Sequence, residues 1–143
     1  MEKYSSVIHQ NALLHEKARN YLEKELSLCG HDDIKSSHGD LFVVLFKKKS
    51  LPLTELATLC ERSKSTVSVM VDHLQRKGYL TKEKSKEGDA RTRNIALTAK
   101  GQSLQEIFDN ISDAMQTKLE KTLSNEEIEL LEKLLAKLCD AFD

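Results

Sequence analysis

The side chains best suited to bind a polyanion lie between residues 64 and 93. Ser65, Thr66 and Ser68 put three small hydroxyls at the start of a helix. Hydroxyls there can bond phosphates or base edges, and Val69 can touch a thymine methyl. Lys64, Asp72 and Arg76 share the outward side of the same helix, with His73 beside them. A second group follows: Lys84, Lys86, Asp89, Arg91 and Arg93. Lys82, Lys84 and Lys86 alternate, so they share one face of a strand. Arg91 stands just beyond a Gly-Asp turn, where a guanidinium can enter a narrow minor groove. Asp89 is close enough in sequence to orient it. A plain surface hairpin would carry similar charges, in ion pairs worth little.

Elements must hold these groups, and hydrophobic spacing outlines them. Residues 4–28 repeat apolar side chains every three to four positions, the period of a helix, and Gly30 is a suitable stop. Ser36 or Ser37 can cap a second helix over 38–48. Leu51 and Pro52 open a short helix over 53–60, and Ser63 caps another running to Lys77, stopped by Gly78. The few residues between these two helices give helix-turn-helix spacing. Val67, Met70, Val71 and Leu74 form the core stripe of the second, leaving the hydroxyls on the other face. Residues 79–85 and 91–97 read as a two-stranded hairpin, a wing. Thr98 begins a long helix to about Leu123, and Ser124-Asn-Glu-Glu127 is a capping box for the last helix.

Composition agrees with this outline. The 143 residues suit one domain, and 39% hydrophobic with 31% charged content suits a folded chain. Five glycines, one proline and 5% aromatics favour helices over a sandwich or barrel. The expected class is mainly α with a small β-wing, an α+β arrangement. The charge is uneven. Residues 62–93 hold 9 Lys/Arg against 4 Asp/Glu, net +5, whereas 1–61 hold 8 against 9 and 94–143 hold 5 against 10. A basic middle in an acidic chain suits a polyanionic partner. The first residues lack the apolar core of a secretory signal, and the longest apolar run, 41–46, is far short of the roughly 20 residues that span a bilayer. No membrane partner is expected. The three cysteines, Cys29, Cys60 and Cys139, form no CxxC pair, which fits a reducing cytoplasm.

These features together resemble the MarR family of bacterial winged-helix transcription regulators. The resemblance spans nearly the whole chain and is strongest over 37–101. It rests on Ser-His-Gly-Asp-Leu (37–41), Leu-Thr-Glu-Leu-Ala (53–57), Lys-Ser-Thr-Val-Ser (64–68), Val-Asp-His-Leu (71–74), Lys-Gly-Tyr-Leu (77–80), and Asp89-x-Arg91 followed by Leu97, Thr98 and Gly101. The resemblance implies one domain over 1–143. Its winged helix-turn-helix region would be 36–97, and its helical dimerisation region would comprise 1–30 and 98–143. It implies a homodimer on a near-palindromic double-stranded DNA operator. Ser65, Thr66 and Ser68 would meet the major groove and Arg91 the minor groove. The usual outcome is repression, relieved by a small ligand or other signal. Apolar side chains on the terminal helices independently favour an isologous interface. Two residues depart from the family pattern: Pro52 at a capping position, harmless in a first helical turn, and Glu61 in the turn, where glycine is common.

Other chemistry is poorly supported. Cys29, His31, Asp32, Asp33 and His38 are ligand types close in sequence, but their spacing matches no standard metal motif. A polar loop with caps is the simpler reading, so neither a metal nor another cofactor is expected. Cys29 is the better candidate for a reactive thiol and Cys60 is read as core. Phe42, Phe46 and Tyr21 could line an effector crevice, though such spacing more often marks a core. There is no phosphate loop, HExxH or nucleophile elbow, so no catalytic residue is assigned. The rival reading is a winged helix used for protein association without DNA, in which Arg91 would be dispensable.

Overall fold

The computed structural model describes residues 6–84 and 93–143. The chain divides into two compact units, Met1–Ile107 and Phe108–Asp143. In the first unit, α1 (Ser6–Leu28) ends where Gly30 takes φ +86° and the His31 N–H returns to the Leu26 carbonyl. That left-handed step suits glycine and closes the orphan carbonyls of the helix end. A short turn, Ser36–His38, leads into α2 (Gly39–Lys48). Next come β1 (Ser50–Pro52), α3 (Leu53–Leu59), α4 (Lys64–Arg76), β2 (Leu80–Lys84), β3 (Arg93–Leu97) and α5 (Ala99–Gln102). α6 (Leu104–Thr122) crosses the unit boundary, and α7 (Asn125–Ala141) belongs to the second unit.

The expected two-stranded hairpin is incorporated in a three-stranded antiparallel sheet, ordered β1-β3-β2. β1 is too short for alternation to show, yet Leu51 faces Ile95 across the ladder and both are buried. Pro52 therefore ends an edge strand and caps α3, instead of lying in the helix's first turn. Its missing N–H is tolerable on an edge. Tyr79 lies just before β2 and is 1% exposed, a core residue rather than the strand's first residue as the pattern predicts. The core joins Leu26, Ile34, Leu41, Phe42 and Leu45 to Leu56, Val67, Val71 and Leu74, with Leu80 and Ile95 from the sheet.

The single long helix expected from Thr98 is interrupted at Ser103. Its hydroxyl donates to the Lys100 carbonyl at 2.6 Å, a local bond that competes with the helical ladder. Thr98 caps α5 as expected. Its Oγ1 accepts the Gly101 N–H at 3.1 Å and donates to the Gly78 carbonyl at 2.5 Å. In the second unit, the Ser124–Glu127 capping box forms in both directions, and α7 has no buried residue. Leu130, Leu131, Leu134 and Leu138 are exposed there. In the first unit, Val7, Ile8, Leu13 and Leu14 of α1 are exposed. No described helix is long and apolar enough to cross a membrane.

Gly101 shows how tightly α5 meets the start of the wing. A Cβ there would lie 2.2 Å from the Tyr79 carbonyl oxygen, which the Thr98 N–H also holds at 3.0 Å. Backbone cannot yield as a flexible side chain can. Gly101→Ala is expected to lower unfolding stability by about 1–3 kcal/mol in urea titrations; an unchanged midpoint would contradict the close approach.

Candidate nucleic-acid interface

The helix-turn-helix is built by local rules. α3 ends at Cys60, and Glu61 turns the chain with φ +54°, a left-handed conformation unusual for glutamate. The glycine-like position noted in the sequence is thus a true left-handed turn filled by a larger, charged residue. Ser63 then takes an extended conformation and caps α4, its Oγ accepting the Thr66 N–H at 3.1 Å. The same hydroxyl meets Thr66 Oγ1 at 2.8 Å and Ser65 Oγ at 3.2 Å. Three hydroxyls therefore gather on the first turn of α4, where unsatisfied backbone N–H groups favour an anion.

The inward stripe of α4 is as expected: Val67, Met70, Val71 and Leu74 are buried. Lys64, Ser65, Thr66, Val69, Asp72 and Arg76 are exposed, and Ser68 is half-buried. Val69 is 69% exposed, an apolar side chain offered to a partner rather than to the core. Asp72 differs from a free contact residue. Its carboxylate accepts from Lys82 Nζ at 2.8 Å, which ties α4 to the first strand of the wing. That hydrogen bond, and then the charge of the lysine, hold the Asp72 carboxyl below its ordinary range. His73 also departs from expectation: it is half-buried and stacks on His38, with ring centroids 5.5 Å apart.

On the sheet, Lys84 and Arg93 are exposed and pair directly across the ladder. Lys86, Asp89 and Arg91 lie outside the described residues. The structure brings the α4 residues onto one helix and Lys84 and Arg93 onto one ladder; Asp72–Lys82 connects the two groups.

The candidate metal residues disperse. Asp32 accepts from Ser27 Oγ, Tyr79 Oη donates to Asp33 at 2.9 Å, and His31 Nδ1 meets the same Oη at 2.8 Å. His38 Nδ1 accepts the Lys35 N–H at 3.0 Å. Among the described residues no group of three or more His, Cys, Asp or Glu is placed to hold a metal. Cys29 is exposed; Cys60 is buried, and burial pushes its thiol up. Phe42 and Phe46 are core residues, 6.0 Å apart.

Tyr79 is a hub that its sequence pattern does not mark. Its Oη joins His31 and Asp33, its ring meets the edge of Phe42, and Lys100 Nζ lies 4.3 Å over that ring. Burial, then the Asp33 bond, push the phenol well above its ordinary range. The only clue was the Lys-Gly-Tyr-Leu run: Gly78 at φ +87° ends α4 and drops the next residue inward. Ser63→Ala should cost about 1 kcal/mol by removing the α4 cap, and Ser63→Asp should retain most of the stability. Equal urea midpoints for Ser63→Ala and the unmodified protein would show that the cap contributes nothing.

The MarR family model matches residues 38–92. No curated relative matches the chain in sequence. Solved structures match over almost the full length. The S. aureus MepR–DNA complex superposes with a TM-score of 0.84 at 25% identity, covering 98% of this chain and 100% of that one. Reduced AbfR bound to DNA gives 0.73 at 22% identity, covering 96% and 92%. NadR in complex with 4-hydroxyphenylacetate gives 0.69 at 21% identity, covering 96% and 95%. The MarR family model thus falls on the helix-turn-helix and wing region, and these solved structures share the fold across nearly the whole chain.

Proposed function

We propose that this protein is a sequence-specific double-stranded DNA-binding transcription regulator, and that it acts as a repressor released from its operator by a small ligand or other signal. The observation that carries the reading is the N-terminal half of α4. It presents Ser65, Thr66 and Val69 outward while Val67, Met70 and Val71 hold the helix in the core. Such a helix end fits a major groove. Lys84 and Arg93 on the wing strands would meet phosphates beside it, with Lys64, Ser68 and Arg76 at the flanks of the helix. Lys86 and Arg91 complete the proposed contact set, Arg91 in the minor groove with Asp89 orienting it. DNA in the MepR and AbfR complexes supports this reading, and the NadR complex supports a small-molecule effector.

The operator would be near-palindromic because the protein would bind as a homodimer. Residues 36–97 would form the DNA-binding region, while 1–30 and 98–143 would form the dimer. The exposed leucines of α7, and separately those of α1, support this: each helix carries apolar side chains that a second copy would cover. Such a regulator would act by binding alone, without catalysis, in the cytoplasm where its DNA is.

Fluorescence anisotropy with the protein's own upstream promoter duplex and a scrambled duplex, over a salt series, tests the reading. Preference for the promoter, steep weakening with salt and loss on Arg91→Ala are expected. No preference at any salt, or indifference to Arg91→Ala, would favour protein association instead. In the same titrations Asp72→Asn should free Lys82 to meet phosphate, and the salt slope should steepen by about 1. An unchanged slope would mean that the ion pair does not withhold Lys82 from DNA.

A further inference from the structure

His38 is the one buried polar or charged side chain in the described core, at 7% exposure. It sits where the turn before α2 meets the last turns of α4. Its Nδ1 accepts the Lys35 N–H at 3.0 Å, so the neutral ring carries its proton on Nε2. Its face lies against His73, with planes 28° apart. No DNA-contact role falls to His38 itself, yet the helix it touches is the one proposed to enter the groove.

We propose that His38 is a positioning residue for DNA recognition: its stack on His73 holds the C-terminal half of α4 against α2, and protonation of His38 loosens that contact and releases DNA. The inference rests on the DNA-binding reading above. When Nδ1 gains a proton from solvent, it becomes a donor facing the Lys35 N–H, and that hydrogen bond is lost. The cation is then buried against a second imidazole. The charged groups around the ring mostly resist the proton as well. Burial is the largest effect, followed by His73 on α4 and Lys35; Arg62, from the helix-turn-helix turn, adds to them. Asp33 alone favours the charged form.

The sign follows. In the docked state His38 binds its proton less readily than an ordinary histidine. A loosened state would titrate at about 6.5. Docking is therefore fully favoured above that value and is lost as pH falls below it towards the docked pKa. Ordinary electrostatics predict the reverse for DNA affinity, since acid adds positive charge to the protein and strengthens attraction to phosphate.

The test is promoter anisotropy at fixed ionic strength from about pH 7.5 to about pH 5.5, with full-length wild type and His38→Asn; wild-type affinity is expected to fall up to about tenfold per unit of pKa difference. The asparagine keeps an acceptor near the Nδ1 position but cannot take a proton, so its affinity should stay flat or rise in acid. Wild-type affinity that holds or rises in acid, or the same loss in His38→Asn, overturns the inference. Absence of promoter preference at the higher pH overturns the DNA-binding reading and the inference with it. Should His38→Asn fail to bind at all, the His38 ring C–H resonance of wild type decides, followed over the same range free and DNA-bound. A lower midpoint in the complex supports the proposal, and equal midpoints overturn it.

Discussion

Tyr79 follows the glycine that ends α4, and its carbonyl must sit within contact distance of Gly101 while accepting the Thr98 N–H. Those two requirements bring three pieces of chain to one point. The end of α4 arrives through the Tyr79 N–H, which returns to Leu74 at 2.9 Å. The wing departs at Leu80 and comes back at Leu97, paired directly with it. α5 is pinned by Lys100, which reaches the Lys77 carbonyl at 2.8 Å and covers the Tyr79 ring. The side chain extends the junction to the loop after α1, through His31 and Asp33. Wing and α4 thus leave a common anchor, and their relative placement is set by backbone as much as by side chains.

From that anchor the presentation of α4 is a consequence. Its stripe of Val67, Met70, Val71 and Leu74 is fully committed to the core, so the helix has little freedom to roll. Its polar face is then turned outward, and its hydroxyl-rich start is left clear by the short turn at Glu61 and Ser63. The strain at Glu61 is modest beside the burial that surrounds it. The Asp72–Lys82 pair is exposed and worth little to stability, but it steers one lysine away from whatever the helix meets.

Much of this was legible in the sequence because the rules involved are local. The caps at Ser63, Thr98 and Ser124, the stops at Gly30 and Gly78, and the buried stripe of α4 each follow from a few neighbouring residues. What was not legible depends on long-range partners. β1 is only three residues long, and it becomes a strand because β3 offers it a ladder. Ser103 falls between α5 and α6 in a stretch whose pattern reads as one helix, and its hydroxyl bonds the Lys100 carbonyl. His73 lies near the outward face of α4 by periodicity, yet it is half-buried because His38, far away in sequence, stacks on it. The Cys29–His38 segment gathers ligand-type residues that read more simply as a polar loop with caps. In three dimensions its members turn to different partners, chiefly Tyr79 and His73. Spacing along the chain could not reveal these contacts.

The central claim is that the start of α4 and the wing strands form one DNA-binding face. Backbone amide NMR of isotope-labelled protein, titrated with its own upstream promoter duplex, tests it most directly. Shifts or broadening are expected to concentrate at Ser63, Ser65, Thr66 and Val69 and at Lys84 and Arg93, while α7 is largely unmoved. Changes confined to α1 and α7, with the start of α4 silent, would contradict it.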